Sequence, residues 1–140
     1  NFIGPFTTTA VAQTIAKELK PGMILALTGP LGAGKTTFVQ ALSRVLGAKG
    51  HLRSPTFSLV RSYAVRAGDI KTFVHVDAYR IEDERDVLPL GLEELLSEPG
   101  TVMAIEWSER ISNFIRASKA PVLSVTIESD TSGVRRVDVR

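Results

Sequence analysis

The segment GPLGAGKT, Gly29 to Thr36, follows an apolar run, MILALT, and precedes a stretch whose Phe38, Leu42 and Val45 share one helical face. It matches G-x-x-x-x-G-K-[ST], the pattern of a phosphate-binding loop, at Gly29, Gly34, Lys35 and Thr36. Glycines allow backbone conformations that a Cβ would block, so successive N–H groups can turn onto phosphate oxygens. The helix that follows adds unpaired N–H groups and the positive end of its dipole. Chance puts the pattern in a chain of 140 residues roughly 0.5% of the time, without supplying the strand before it or the helix after it. The loop therefore demands strand, loop and helix in that order.

The flanking sequence continues the alternation. Val11, Ile15 and Leu19 recur four apart, a helix stripe with a threonine among Thr7 to Thr9 as N-cap and Pro21-Gly22 as the stop. Gly47 closes the helix after the loop. TFSLVRSY (Thr56 to Tyr63), KTFVHVD (Lys71 to Asp77) and TVMAIEW (Thr101 to Trp107) read as strands, with RAGD (Arg66 to Asp69) as a turn. Residues Ala78 to Pro89 read as a charged connection, GLEELL (Gly91 to Leu96) as a short helix and SERISNFIR (Ser108 to Arg116) as helical. VLSVTIES and VRRVDVR alternate as half-buried strands around DTSG, a hairpin. Residues 1–140 are thus expected to form one α/β P-loop NTPase-like domain, with a mostly parallel central sheet, flanking helices and a C-terminal hairpin.

Composition narrows the function classes. The chain is 44% hydrophobic and 23% charged, ordinary for a globular domain with a buried core. It has no cysteine, which removes disulfides, thiolate metal sites and cysteine nucleophiles. Its apolar runs are strand-sized, no signal peptide is visible, and a cytoplasmic protein without membrane contact is expected. A net charge of +2 leaves contact with RNA open without requiring it.

Several residues are candidates to work with the loop. Lys35 can reach the β and γ phosphates, and the Thr36 hydroxyl suits Mg²⁺. Asp77 ends an apolar strand, where a carboxylate can accept from a Mg²⁺-bound water; aspartate at a strand end also caps loops. Glu106 ends another strand, placed to hold metal, to orient water, or simply to face solvent as a surface glutamate. Ser54 and Thr56 in SPTF offer hydroxyls where many P-loop proteins sense the γ phosphate, or where a loop merely enters a strand. Trp107 reads as core or as a neighbour of the nucleotide. Arg80 reads as a phosphate or partner contact or as a solvated surface residue. His75, between Val74 and Val76, reads as structural rather than catalytic, and His51 has no assignment. No N-K-x-D motif reads guanine, Asp77 is not followed by D-x-x-G spacing, and no arginine-rich lid is present. Adenine nucleotide is favoured, and a chain of this length is cramped for a kinase with its own acceptor domain.

Taken in order, LTGPLGAGKTTF, SPTFSLV, HVDAYR, LGLEELL and IEWSER resemble the TsaE family, also called YjeE, across about Phe6 to Arg116. These are small bacterial P-loop ATPases needed for threonylcarbamoyladenosine in tRNA. The resemblance implies ATP or ADP bound with Mg²⁺ by Gly29, Leu31, Gly32, Ala33, Gly34, Lys35, Thr36 and Thr37, with Phe6 and Thr7 bordering the adenine. It implies Thr36, Asp77 and Glu106 at the metal, Thr56 in a nucleotide-sensitive switch, and Lys35, Asp77, Glu106 and Thr56 as the hydrolytic set. It implies TsaB and TsaD as partners, tRNA met only through them, and hydrolysis that is weak without them. The sequence departs from the family at Pro30, where an acid is usual, at Ala78, where leucine is common, and at Ser108, where proline is common. None of these is a proposed ligand. A small-molecule or nucleoside kinase and a non-hydrolysing nucleotide sensor are the competing readings.

Overall fold

The structure is a computed structural model that describes residues 2–3, 8–30, 34–49, 59–129 and 135–139. Its elements run β1 (Phe2–Ile3), α1 (Thr8–Ala16), β2 (Ile24–Thr28), α2 (Lys35–Val45), β3 (Val60–Ala67) and β4 (Ile70–Asp77). A 3₁₀ turn (Glu84–Leu90), α3 (Leu92–Ser97), β5 (Thr101–Glu106), a second 3₁₀ turn (Ser108–Ile111), α4 (Ser112–Ser118), β6 (Val122–Ser129) and β7 (Arg135–Val139) follow.

The strands form one sheet in the order β1-β7-β6-β2-β5-β4-β3. Its centre is parallel: β2 pairs with β5 and β6, and β4 pairs with β5. The antiparallel strands lie outside, β3 against β4 on one side and β7 against β6 on the other. A central parallel strand has both faces covered, so it reads as an unbroken apolar run. β5 shows this most fully, being buried at all six positions.

The helices make two outer layers. On one face Val11, Ala12 and Ile15 of α1 and Phe38, Val39 and Leu42 of α2 pack on Leu25, Leu27, Phe73, Val102, Ala104, Val125 and Ile127. On the other, Ile24, Val74, Val76, Met103 and Ile105 meet Val87, Leu92 and Ile111, with Phe114 and Ile115 partly buried beside them. Successive residues of β5 serve opposite layers, Val102 and Ala104 one and Met103 and Ile105 the other, as the period of two requires.

The differences from the sequence reading lie at element ends. α1 stops at Ala16 rather than running to the proline. Leu19 is still buried, because Glu18 and Leu19 donate to Ile15 and Ala16 in a tightened last turn. α2 ends as expected at Gly47 (φ 86°), where the Gly47 and Ala48 amides donate to Arg44 and Ser43. That pairing satisfies the last carbonyls of the helix. β3 extends to Ala67, which stands opposite Ile70 across the two-residue turn Gly68-Asp69, and its register against β4 shifts between Ala64 and Ala67. The charged connection contains a 3₁₀ turn capped by Asp83, which accepts from the Arg85 amide and pairs with its guanidinium. Those side-chain and backbone bonds hold the Asp83 carboxyl below the usual aspartate range. SERISNFIR divides into a 3₁₀ turn and α4, tied back to the connection by Glu84, which accepts from the Asn113 and Phe114 amides. β1 had no counterpart in the sequence reading. The tip of the C-terminal hairpin, DTSG, lies outside the described residues. Among the described residues no helix is long and apolar enough to cross a membrane.

Candidate nucleotide-binding site

The carboxyl ends of β2, β4 and β5 reach one edge of the sheet, where open α/β sheets carry their ligands. β2 delivers the loop and α2, so Lys35, Thr36 and Thr37 occupy the first helical turn, and their amides have no acceptor within the helix. The first intrahelical bond runs from Phe38 N to Gly34 O, 2.9 Å. Gly34 is left-handed (φ 99°), as the turn from loop to helix needs.

β4 and β5 deliver the acids. Asp77 and Glu106 are opposite one another in the parallel register, and Glu106 is in turn opposite Leu27 of β2. Side chains of paired residues project to the same face, here the face covered by α2. Glu106 is only 2% exposed, which excludes the surface-glutamate reading. Its Oε1 accepts a 2.8 Å bond from Thr36 Oγ1, and its Oε2 lies 2.5 Å from His75 Nε2. Asp77 Oδ1 accepts from the Tyr79 amide at 3.1 Å, turning the chain as it leaves the strand. Asp77 thus makes the local loop bond and lines the site as well.

Lys35 is 4% exposed, and its ammonium donates to the Gly29 carbonyl and, at 2.9 Å, to that of Pro30. It also lies 4.3 Å from the centre of the Trp107 ring. Trp107 adopts a left-handed backbone (φ 57°, ψ 45°), uncommon for a bulky residue. Its ring packs against that of Tyr79 at a tilt of 48°, centroids 5.0 Å apart, and the Arg110 guanidinium lies 5.4 Å from it. Tryptophan is the best aromatic acceptor of a cation, so Trp107 and the two carbonyls share the lysine charge. Gly34, Lys35, Thr36, Asp77, Tyr79, Glu106 and Trp107 together line a cavity of 160 Å³.

The structure thus brings together Gly34, Lys35, Thr36, Asp77 and Glu106 from the sequence reading. Thr37 is exposed in the first turn of α2, and Gly29 follows the last residue of β2. Arg80 is exposed just beyond Tyr79. Leu31, Gly32, Ala33, Phe6, Thr7 and Thr56, with the whole of SPTF, lie outside the described residues. His75, Tyr79 and Arg110 are the contributors that sequence reasoning did not place here.

The donor set fits Mg²⁺. A hydroxyl and carboxylates are hard oxygen ligands. Among the described residues no group of three or more His, Cys, Asp or Glu forms a metal cage. Mg²⁺ usually keeps several waters and is bound through one or two carboxylates plus substrate phosphates.

A strand, a glycine loop and a helix opening on Lys-Thr, with acids ending two neighbouring parallel strands, define a P-loop α/β protein. A family profile described as "Threonylcarbamoyl adenosine biosynthesis protein TsaE" matches residues 5–137. The chain belongs to the TsaE family. It is 38% identical over 109 residues to the tRNA threonylcarbamoyladenosine biosynthesis protein TsaE of Bacillus subtilis, covering 78% of this chain and 65% of that one. To the TsaE of Rickettsia conorii it is 36% identical, covering 87% of this chain and 66% of that one. For Aquifex aeolicus TsaE the identity is 40%, with 74% and 71% covered. The matches to the first two span just under two thirds of those proteins. The crystal structure of Bacillus subtilis YdiB superposes with a TM-score of 0.67 at 29% identity, covering 97% of this chain and 79% of that one.

Proposed function

We propose that this chain is a Mg²⁺-dependent ATPase serving as an accessory subunit in threonylcarbamoyladenosine modification of tRNA, acting in the cytoplasm on a TsaB–TsaD pair. The biosynthetic part follows from its family. The ATPase part is carried by one observation, the bond from Thr36 at the head of α2 to the buried carboxylate of Glu106. A phosphate loop needs only its amides and lysine to bind phosphate, whereas a buried acid held on its threonine is suited to a metal-dependent step.

In this reading Lys35 leaves the Gly29 and Pro30 carbonyls for the β and γ phosphates of ATP, where its charge opposes the negative charge that develops on transfer. The amides of the first turn of α2 orient the same oxygens. Thr36, Asp77 and Glu106 hold Mg²⁺ directly or through water. Mg²⁺ held by these residues would supply positive charge against the charge that develops on transfer. Thr56 and SPTF report nucleotide state to the partner, and Phe6 and Thr7 border the adenine; both assignments come from the resemblance. Contact with tRNA is made by the partners.

The test is phosphate release from Mg·ATP by the purified chain, alone and with the cognate TsaB–TsaD pair. Release that rises with the pair and disappears in Lys35→Ala is expected. Binding of ATP without release, pair present, would make the chain a nucleotide sensor. Transfer of phosphate to a small acceptor without the pair would make it a kinase.

A further inference from the structure

Glu106 is buried, yet both of its oxygens are engaged, one by a residue of the loop helix and one by a residue of the neighbouring strand. The second residue, His75, takes no part in the function proposed above. Its placement follows from the sheet. His75 stands opposite Ala104, and Asp77 opposite Glu106, so Glu106 is the diagonal neighbour of His75 on the same face. Diagonal pairs are within reach of long side chains and rings. The small side chain of Ala104 leaves the imidazole room to lean along the strand toward the carboxylate. β4 is paired on both sides, with β3 and β5, so the backbone that carries the ring is fixed. The side chains of the pair are 11% and 3% exposed, so water is a poor substitute for either partner.

We infer that His75 is the positioning residue of this site: through Nε2 it holds Glu106 Oε2, and so keeps Oε1 on Thr36 Oγ1, where the metal is to be received. A glutamate has three side-chain torsions, and a single bond from Thr36 leaves the carboxylate free to rotate about it. A second bond at the other oxygen removes that rotation. Without the histidine, Oε2 would be a buried acceptor with no donor, and the carboxylate would swing to find one. Partners of this second kind orient metal ligands, and their loss lowers metal affinity by about 10–100-fold.

The inference rests on the reading of Glu106 as a metal-site residue, and the experiment separates the two. Calorimetric titration of ADP would be run from EDTA through rising Mg²⁺, giving the Mg²⁺ concentration at half effect. Wild type, Glu106→Gln, His75→Met and His75→Gln would be compared. Methionine fills the space of the ring without an N–H, whereas the glutamine amide nitrogen lies close to the position of Nε2. His75→Met is expected to raise the Mg²⁺ requirement about 10-fold while leaving ADP affinity in EDTA unchanged. His75→Gln is expected to return it to within about 3-fold of wild type. If Glu106→Gln shifts the requirement and His75→Met does not, the positioning role is wrong and the metal-site reading stands. Equal losses in His75→Met and His75→Gln would make the residue a packing element, which also overturns the role. If Glu106→Gln leaves the requirement unmoved, the metal-site reading falls and takes the inference with it. Should His75→Met fail to fold, His75→Asn, whose amide stops one carbon short, makes the same comparison.

Discussion

Gly29 joins the central strand to the phosphate loop, and its replacement by alanine tests how tightly that junction is built. A Cβ on Gly29 would lie 2.2 Å from the Ile127 carbonyl oxygen and 3.2 Å from its carbon. Contacts of this kind settle near about 3.5 Å, so the two backbones must part by more than about 1 Å. Nothing can rotate away, because the obstacle is the main chain of β6, which is paired with β2 up to Thr126 and with β7 at Ile127. The residue also has φ 140°, a region closed to L side chains. Gly22 supplies the control, since it too has positive φ (89°) but nothing within 4 Å of its Cβ position. Positive φ alone costs an L residue about 1–2 kcal/mol. Forced displacement of packed backbone adds about 1–3 kcal/mol. Gly22→Ala should therefore lose about 1–2 kcal/mol and Gly29→Ala about 2–5 kcal/mol, of a total near about 5–15 kcal/mol. At about 3 °C per kcal/mol, Gly29→Ala is expected to melt about 3–9 °C below Gly22→Ala. The same displacement moves the carbonyl that accepts from Lys35, so nucleotide affinity falls in Gly29→Ala alone. Thermal unfolding followed by circular dichroism, with urea titration for ΔG, measures the pair. Variants melting within about 2 °C of each other would refute the argument that the strand–strand approach, rather than backbone freedom, demands glycine here.

Asp77→Ala is expected to keep ADP binding within about 3-fold while phosphate release falls at least about 10-fold, and comparing calorimetry with turnover checks the split. Trp107 is the sole tryptophan, and Lys35 lies over its ring, so Mg·ADP should change its emission as the lysine leaves. A fluorescence titration showing no change would mean that Lys35 stays on the ring. Asp83 has a lowered carboxyl pKa because of Arg85, so the bond contributes stability above the ordinary aspartate value of about 3.9 and loses it as pH falls through the lower folded value. The small Tm deficit of Asp83→Asn should accordingly be present at neutral pH, shrink in acid, and weaken in high salt, as melting across pH would show.

The loop and its helix were legible because their chemistry is local: glycine spacing, Lys35 and Thr36 are neighbours in sequence. Asp77 and Glu106 were legible as candidates because each ends an apolar strand, and parallel pairing put those ends side by side. The sequence could not say that Glu106 is buried, since a glutamate after four apolar residues reads equally well as the first solvated position. His75 escaped because alternation along β4 assigns its face but not its neighbour. That neighbour depends on the register against β5, whose paired residues lie 29 positions away in the chain. Trp107 came with two readings, and a left-handed backbone, unreadable from residue type, decides that its ring meets Lys35. The course of β3 was hidden for a similar reason, because its pairing with β4 passes through a register shift between Ala64 and Ala67 that the strand's own pattern does not announce. The readings for Phe6, Thr7 and Thr56 fall outside the described residues.

The parallel centre of the sheet also governs when the site comes into being. Parallel neighbours cannot be joined by a tight hairpin, so every strand at the working edge reaches its partner through a crossover. The bond from Thr36 to Glu106 closes a loop of 70 residues, and the contact from Thr28 to Thr126 one of 98. Such non-local pairings form slowly, and they form together or not at all. During synthesis the loop and α2 emerge long before β5, so a nascent chain displays the phosphate-binding signature while its buried acid is still unmade. Metal-dependent nucleotide binding is then a readout of the completed sheet, and a chain stalled before Glu106 has the loop's amides and lysine but no switchable site.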